Sequence, residues 1–576
     1  MSVHEADADA ERLSGRGNQT WLQYWGPAIA VSLAMFIAVI DSTLMNVAIP
    51  AIVEDLDTTV PVVQGAIAFY SLVMAALVLP GGKLPTIFGI RRLTTVALIV
   101  YAVGTLLAAI SWNPIVLFLG WSVIEGAAAA VLLPLTFTIL VVSYEGTDRA
   151  KALGILAGVN ATGAAIGPIL GGALTTFASW RWGFALEAVI VVVALLFVRY
   201  LSTERLTPTR ESLDLGGTVL SALGATTFVA GFILSGKYGF LTATRSFFVG
   251  NMQLNPFGTS PAIWLVGIGL LTFAAFTQYE LRVARTGQTP LVPIDILKNR
   301  LFTSGILTLS ARSIVMAGFI FVVPVFLQSA LGYSAFEAGL AMLPFSIATL
   351  LTSMFTTGWR SYVSPKTLVQ VGIAFMGVGL ALLAGQTSPD QTIVGMVIPM
   401  ATFGVGVGLI MAQLVDLTLS SVPAENSADA SGVMNATGML GYAVGTAVVG
   451  SFLLGRYYGN AVDGMLRTGG VTVSSQRRDE LVVALQDAAE TATEATQQAF
   501  LNQLSPAEQE LLIGIFESAF VSAQRSTLLL LCLLALAMLA VSSLIPRLTS
   551  GSQVESASRD GRADPPNEVT ETVEGE

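Results

Sequence analysis

The chain has one cysteine, Cys532, and one histidine, His4, in 576 residues. A single cysteine excludes an internal disulfide and any thiolate metal cluster. A single histidine, lying in a polar N-terminal segment, excludes a histidine zinc site and a Ser-His-Asp triad. Any proton movement must therefore use carboxylates. Charge is also scarce: 11% of residues are charged and 53% are hydrophobic, whereas soluble domains carry about 25% charged residues. The net charge of −10 disfavours a nucleic-acid partner. Residues 1–23, 456–526 and 548–576 carry −2, −4 and −5, so the remainder is close to neutral. The acidity belongs to tails and one long segment, and the body is hydrophobic. No nucleophile constellation, metal-ligand spacing or phosphate loop stands out, because Gly81-Gly82-Lys83 lacks the P-loop glycine spacing. The expectation is a non-enzyme with no cofactor and no metal.

What is abundant is apolar sequence in lengths of about 20 residues, the span of a membrane helix. Fourteen such stretches lie near 26–50, 63–82, 93–111, 114–142, 150–178, 182–200, 215–236, 261–280, 301–328, 335–357, 367–386, 392–419, 428–455 and 527–546. The expected fold is an all-α integral membrane protein. With the N-terminus inside, 19 of the 28 lysines and arginines fall on cytoplasmic segments and span edges. Both termini are expected in the cytoplasm, with the bilayer as the obligatory partner. The acidic N-terminal segment does not look like a cleaved secretory signal. The 456–526 segment is too long for a simple connection. It holds a capping box, Ser505-Pro506-Ala507-Glu508, and is expected to form an extracytoplasmic helical pair. Residues 547–576 are polar and acidic and are expected to be disordered.

A short repeat adds to this. Asn160-Ala161-Thr162-Gly163 recurs as Asn435-Ala436-Thr437-Gly438, and each copy precedes a spaced glycine series in an odd-numbered span. A parallel repeat of two helical halves leaves such a pattern.

Three motifs carry a family resemblance. Asp41-Ser42-Thr43-Leu44-Met45-Asn46-Val47-Ala48-Ile49-Pro50 ends the first stretch. Gly163-Ala164-Ala165-Ile166-Gly167-Pro168-Ile169-Leu170-Gly171-Gly172 lies in the fifth. Trp180-Arg181-Trp182-Gly183-Phe184 opens the sixth. Together they resemble the fourteen-helix drug:proton antiporter branch of the major facilitator superfamily. The resemblance implies two six-helix halves, 24–200 and 301–546, joined through 201–300 with two inserted helices. It implies proton-coupled export of small amphipathic compounds, a multidrug efflux activity associated with antibiotic resistance, from the cytoplasmic membrane, with a monomer favoured. It assigns Gly163, Gly167, Pro168, Gly171 and Gly172 to the antiporter motif, and Thr43, Asn46 and Pro50 to the helix-one motif. Glycines at helical spacing let two backbones approach.

The departures are specific. After the second helix the family pattern is G-x-L-a-D-r-x-G-r-k/r. Gly82, Gly89, Arg91 and Arg92 match it, while Thr86 stands at the aspartate and Ile87 at the next basic position. The charge latch that the family places there loses its acid. In the fourth helix Ser122 replaces the family's arginine and Glu125 remains; in the sixth, Glu187 stands where asparagine is usual.

Ionisable residues inside a span are expensive and face a cavity or a partner. The candidates for proton coupling or substrate contact are Asp41, Glu125, Glu187, Arg312 and Asp416. Asp41, Glu125 and Arg312 lie mid-span, whereas Glu187 and Asp416 lie nearer span ends, where an edge charge reaches the interface. Arg312 is expected to pair with Glu125 or Asp41, replacing the charge lost at Ser122. Carboxylates suit a cationic substrate, while Arg312 equally suits an anion or a lipid headgroup. Met316 and Phe319 share a helix face with Arg312 and could line an apolar pocket. The alternatives to a multidrug antiporter are a dedicated exporter of one metabolite or lipid, and a non-transporting sensor or scaffold.

Overall fold

The computed structural model describes residues 20–144, 146–201, 214–249, 252–253, 255–356, 363–422, 427–491 and 501–546. Most of the N-terminal tail, the connection at 202–213 and the acidic tail 547–576 lie outside the described residues.

Local chemistry starts the helices cleanly. Thr20 caps α1 (Trp21–Asp55) in a reciprocal capping box with Gln23. Residues Pro61, Pro114 and Pro261 sit in the first turns of α2 (Val60–Phe88), α4 (residues 114–143) and α8 (Pro261–Arg285), where proline displaces no internal hydrogen bond. Gly89, at φ +78°, ends α2 and lets α3 (Ile90–Ala109) start at once. Side chains rarely adopt that backbone region. Arg91 and Arg92 follow it, both exposed. Helix α4 runs as Pro114–Leu117, a π-helical stretch Phe118–Glu125, and Gly126–Ser143. The chain continues through α5 (Gly146–Phe177), α6 (Arg181–Val198), α7 (Leu215–Tyr238), α9 (Arg300–Ser329), α10 (Ala335–Phe355), α11 (Pro365–Gln386), α12 (Ile393–Leu419), α13 (Ser427–Thr468), α14 (Ser475–Thr491) and α15 (Pro506–Ser542). The strands among the described residues are a two-residue pair in the α7–α8 loop, Phe248–Val249 with Met252–Gln253.

Among the described residues, thirteen helices are long and apolar enough to cross a membrane. The fifth stretch is helical, as α5, but its described apolar portion, Ile166–Phe177, is shorter than a span. Large apolar side chains are exposed at helical spacing along α3 (Val96, Ile99, Val103, Leu106) and α6 (Val189, Val192, Leu196). Lipid satisfies such surfaces while the helices satisfy their own backbones. This is a multi-pass, all-α membrane protein.

The long segment after residue 455 differs from the expected separate pair. Nothing breaks the helix until Gly469 and Gly470, so α13 runs unbroken to Thr468. Likewise α15 starts at the Ser505 capping box and continues into its apolar run. The segment thus consists of two prolonged span helices with α14 between them; residues 492–500 lie outside the described residues. Arg478 of α14 holds Asp463 through two hydrogen bonds of 2.7 and 2.8 Å. Arg245, from the α7–α8 loop, pairs with Asp487 and donates to Gln486 Oε1 at 2.9 Å.

Two glycine seams organise the packing. Helix α5 lies on α1, with Gly163 against Val39 and Phe36, Gly167 against Thr43, and Gly171 against Leu44. Helix α13 lies on α9 in the same manner, with Gly441 against Ser310 and Gly445 against Ile314. Helices α7 and α8 pack on each other and join the α2–α13 side through Leu72, Ala76, Ala225, Val229 and Ala443.

Candidate functional site

The end of the bundle where α1 starts is called here the near end, and the opposite one the far end. At the far end, α5 and α10 touch almost backbone to backbone. A Cβ on Gly172 would collide with the Ala335 carbonyl, and one on Gly339 with the Pro168 carbonyl. Thr176 Oγ1 accepts from the Phe336 backbone N–H at 2.9 Å, and Phe177 packs on Phe336. Gln328 of α9 donates to the Val47 carbonyl of α1 at 2.8 Å, and Gln64 of α2 to the Thr446 carbonyl of α13 at 3.1 Å. The Gly163–Gly172 segment thus presents two faces, one to α1 and one to α10.

At the near end, Lys83 of α2 pairs with Asp429 in the first turn of α13 at 2.7 Å. The motif residue beside Gly82 therefore carries the charge contact whose acid was missing at position 86, with the acid supplied by the partner helix. The side chains are about one-quarter exposed, so the pair is worth little as stability. Its expected importance is to the switch between states. Lys83→Asp or Asp429→Lys alone should lower transport several-fold, and the double exchange should restore it; equal defects in all three variants, measured as flux in vesicles, would reject the pairing.

Between these ends lies a carboxyl cluster. Asp41 (α1), Glu125 (α4) and Glu187 (α6) are 1%, 0% and 0% exposed. One oxygen from each lies within 4.8 Å of the others. Asp41 Oδ1 accepts from Trp121 Nε1 at 2.8 Å, and the Trp121 ring stacks on Tyr70 at 5.0 Å. Glu187 Oε2 accepts from Thr105 Oγ1 at 3.3 Å and Tyr101 Oη at 3.5 Å. Both Glu125 oxygens, Asp41 Oδ2, Glu187 Oε1 and Tyr70 Oη are buried with no hydrogen-bond partner. The π-helical stretch that ends at Glu125 puts Trp121, Ser122 and Glu125 all in the interior. Ser122 Oγ donates to the Ala66 carbonyl at 2.9 Å, so the residue at the lost arginine position ties α4 to α2.

Three carboxylates this close, out of water and with no cation beside them, cannot all stay charged, because burial and mutual repulsion both oppose it. Protons or one metal cation would relieve the charge. Four of the six carboxyl oxygens have no hydrogen-bond partner and are free to take either.

The other predicted residues are placed differently. Glu187, expected near an interface, is a full member of the cluster. Asp416 is exposed on α12. Arg312 makes no ion pair with Asp41 or Glu125, and the reason is rotational. It shares its face of α9 with Gly305 and Phe319, seven residues away on either side. Gly305 meets Thr418 and Phe319 stacks on Phe403 at 4.0 Å, both on α12. Ser310 and Ile314, on the other side, meet α13. Phe319 is 0% exposed and packed between Phe345 and Phe403, so it is core and not pocket wall. In the helix-one motif, Thr43 donates to the Ile40 carbonyl at 3.0 Å and Asn46 to the Ser42 carbonyl at 2.5 Å, while Pro50 is carried within the helix.

An apolar pocket of about 400 Å³ opens between α1 and α5 near the α1 start, where the two helices part below Gly163. Trp21, Trp25, Leu33, Phe36, Ile155 and Val159 are among its lining residues, and Ser32 contributes a buried hydroxyl with no partner.

Trp121, Tyr70, Tyr101, Thr105 and Asp429 were not singled out from the sequence. Trp121 precedes Glu125 by one turn, and Tyr101 precedes Thr105 by one turn. Polar pairs at that spacing inside apolar spans are a readable signal.

A membrane bundle sealed at one end around buried carboxyls belongs to the class of multi-pass membrane transporters, and the protein is not an enzyme. The sequence profile of the Major Facilitator Superfamily matches residues 31–446, and the chain belongs to that family. It is 31% identical to a cephamycin export protein of Amycolatopsis lactamdurans, over 72% of this chain and 82% of that one. It is 28% identical to a multidrug efflux pump of Mycolicibacterium smegmatis, over 76% and 82%. Its fold matches that of a bacterial homologue of the human lysosomal transporter Spinster, with a TM-score of 0.57 and 14% identity over 92% of this chain and all of that one.

Proposed function

We propose that this transporter is a proton-coupled antiporter that exports small amphipathic compounds, drugs among them, across the cytoplasmic membrane by alternating access. The observation that carries the reading is the buried cluster of Asp41, Glu125 and Glu187 with its unpartnered oxygens. Protons entering from outside neutralise the cluster, and their release inside resets it. Two six-helix halves, 24–200 and 301–546, rock about the cluster and alternate between the far-end seal and the near-end contact. The lysine and arginine distribution supports a cytoplasmic near end, with both termini inside. The names of the relatives, which export cephamycin or several drugs, support small antibiotic-like substrates.

The test is flux in proteoliposomes holding a pH-sensitive dye. An imposed proton gradient should accelerate transport of a fluorescent amphipath such as N-phenyl-1-naphthylamine by about tenfold, roughly the effect of one pH unit at one proton per cycle. The substrate gradient should conversely move protons. Transport that ignores the proton gradient would overturn the coupling, and no transport across a broad panel would overturn the exporter reading.

A further inference from the structure

We infer that Arg312 is a receptor for an anionic group on the transported compound, so that the substrate class includes amphipathic acids. The inference deepens the exporter reading and rests on it for the identity of the ligand as cargo. Arg312 lies about twelve residues into α9, mid-way along a 30-residue span. Among the described residues no carboxylate pairs with its guanidinium and no acceptor takes its hydrogen bonds, and Nε is fully buried. The residue as a whole is half-buried, and its guanidinium has no protein acceptor there.

An unpaired charge is costly inside a membrane protein. Among the described residues Glu280 is buried on the Val292 N–H and the three clustered acids are buried together, yet none of the four neutralises Arg312. The clustered acids sit among α1, α3, α4 and α6, where Trp121 donates to Asp41, Tyr101 and Thr105 donate to Glu187, and Glu125 lies within 4.8 Å of both. Arg312 instead faces the α12 side, set by its neighbours Gly305 and Phe319. A cation kept apart from the available acids is a site awaiting an anion. The planar guanidinium offers a fork of donors that fits carboxylates, sulfonates and phosphates. Met316, one turn on and also partly open, gives the ligand's apolar part an adaptable neighbour. The buried acids do not line an open surface, being at most 1% exposed, so they do not demand a cationic cargo.

The test uses two probes that share an aromatic scaffold, 1-anilinonaphthalene-8-sulfonate and the neutral N-phenyl-1-naphthylamine. Binding of each is titrated by fluorescence to the full chain in phosphatidylcholine nanodiscs, with no gradient. Arg312→Gln should weaken sulfonate binding about tenfold or more, as expected for a charge-assisted contact, and leave the neutral probe unchanged. Arg312→Lys should retain most of the sulfonate affinity. Unchanged neutral-probe binding also reports that the variant is folded; should Arg312→Gln fail to fold, Arg312→Met, which removes the charge and keeps an apolar stem, gives the same comparison. Equal loss for both probes, or none for the sulfonate, overturns the inference. The titration is repeated with phosphatidylglycerol in the nanodisc. Loss of the Arg312-dependent sulfonate binding there would make a lipid headgroup the occupant and overturn the assignment to cargo. Because no flux is measured, failure here is separate from failure of proton coupling in proteoliposomes.

Discussion

Asp41→Asn is expected to reduce proton-driven export to the rate seen without a gradient, while the protein remains folded and still binds its substrate. The substitution is isosteric. The asparagine carbonyl can still accept from Trp121 Nε1, which Asp41 Oδ1 accepts at 2.8 Å. What disappears is the ability to take and lose a proton at the point where α1 meets α4. Asp41 is the only one of the three acids on α1, the helix that α5 seals against at Gly163, Gly167 and Gly171. A proton bound there is therefore felt on the helix that forms the seam. Glu125 and Glu187 remain in the variant, and with one fewer charge near them they hold their protons or their charge independently of α1. The measurement is dye-reported proton movement in everted vesicles, alongside probe binding to the purified protein. Normal pumping by Asp41→Asn would remove Asp41 from the coupling role, and loss of binding together with pumping would make it structural. Glu187→Gln is the internal comparison: its oxygen already accepts from Thr105 and Tyr101, so a smaller loss is expected.

The architecture and part of this cluster are visible in the amino-acid sequence, for physical reasons. A membrane span is a length of apolar residues, so the helices stand out without any tertiary information. Asp41 and Glu125 stand out because an acid amid twenty apolar residues has few explanations. Glu187 was misplaced because its distance from the end of α6 says little about depth: it sits two turns into the helix and is still 0% exposed. Arg312 shows the limit most clearly. Its position along α9 was right, but which neighbour it faces depends on rotation about the axis, fixed by Gly305 and Phe319 against α12. The length of α13 was hidden for another reason. Hydropathy falls after residue 455 while nothing breaks the helix before Gly469, so the membrane signal ends before the helix does. The near-end contact was missed because a latch needs two partners. The motif drew attention to position 86, and the acid lies more than 300 residues away, at Asp429.

Gly172→Val should remove export almost entirely, through the far-end seal and with no change to any titratable group. At Gly172 even a methyl group would meet the Ala335 carbonyl, and the Phe336 Cα would be 2.9 Å away. Both atoms are backbone at the start of α10, held by the Ser334 capping box with Glu337, so neither can yield as a flexible side chain would. Valine adds two further carbons at the same point, and overpacking of this kind typically costs about 1–3 kcal/mol even where a core can adjust. In the proposed alternating-access cycle the seal forms and breaks each time, which needs both states to be close in energy. A shift of about 3 kcal/mol would cut the ratio of sealed to open states more than a hundredfold. Helix α5 can still lie on α1, because Gly163, Gly167 and Gly171 occupy the other face; the fold should therefore survive. Thr176 and Phe336, joined by a 2.9 Å hydrogen bond across the seam, supply the readout. With Cys532 replaced by serine and cysteines placed at 176 and 336, oxidative cross-linking should be efficient in the parent and rare once Gly172→Val is added. Gly172→Ala should fall between them. Undiminished cross-linking in the valine variant would mean that the α5–α10 crossing tolerates bulk, and the seal would have to be sought at the Gln328–Val47 and Gln64–Thr446 contacts instead.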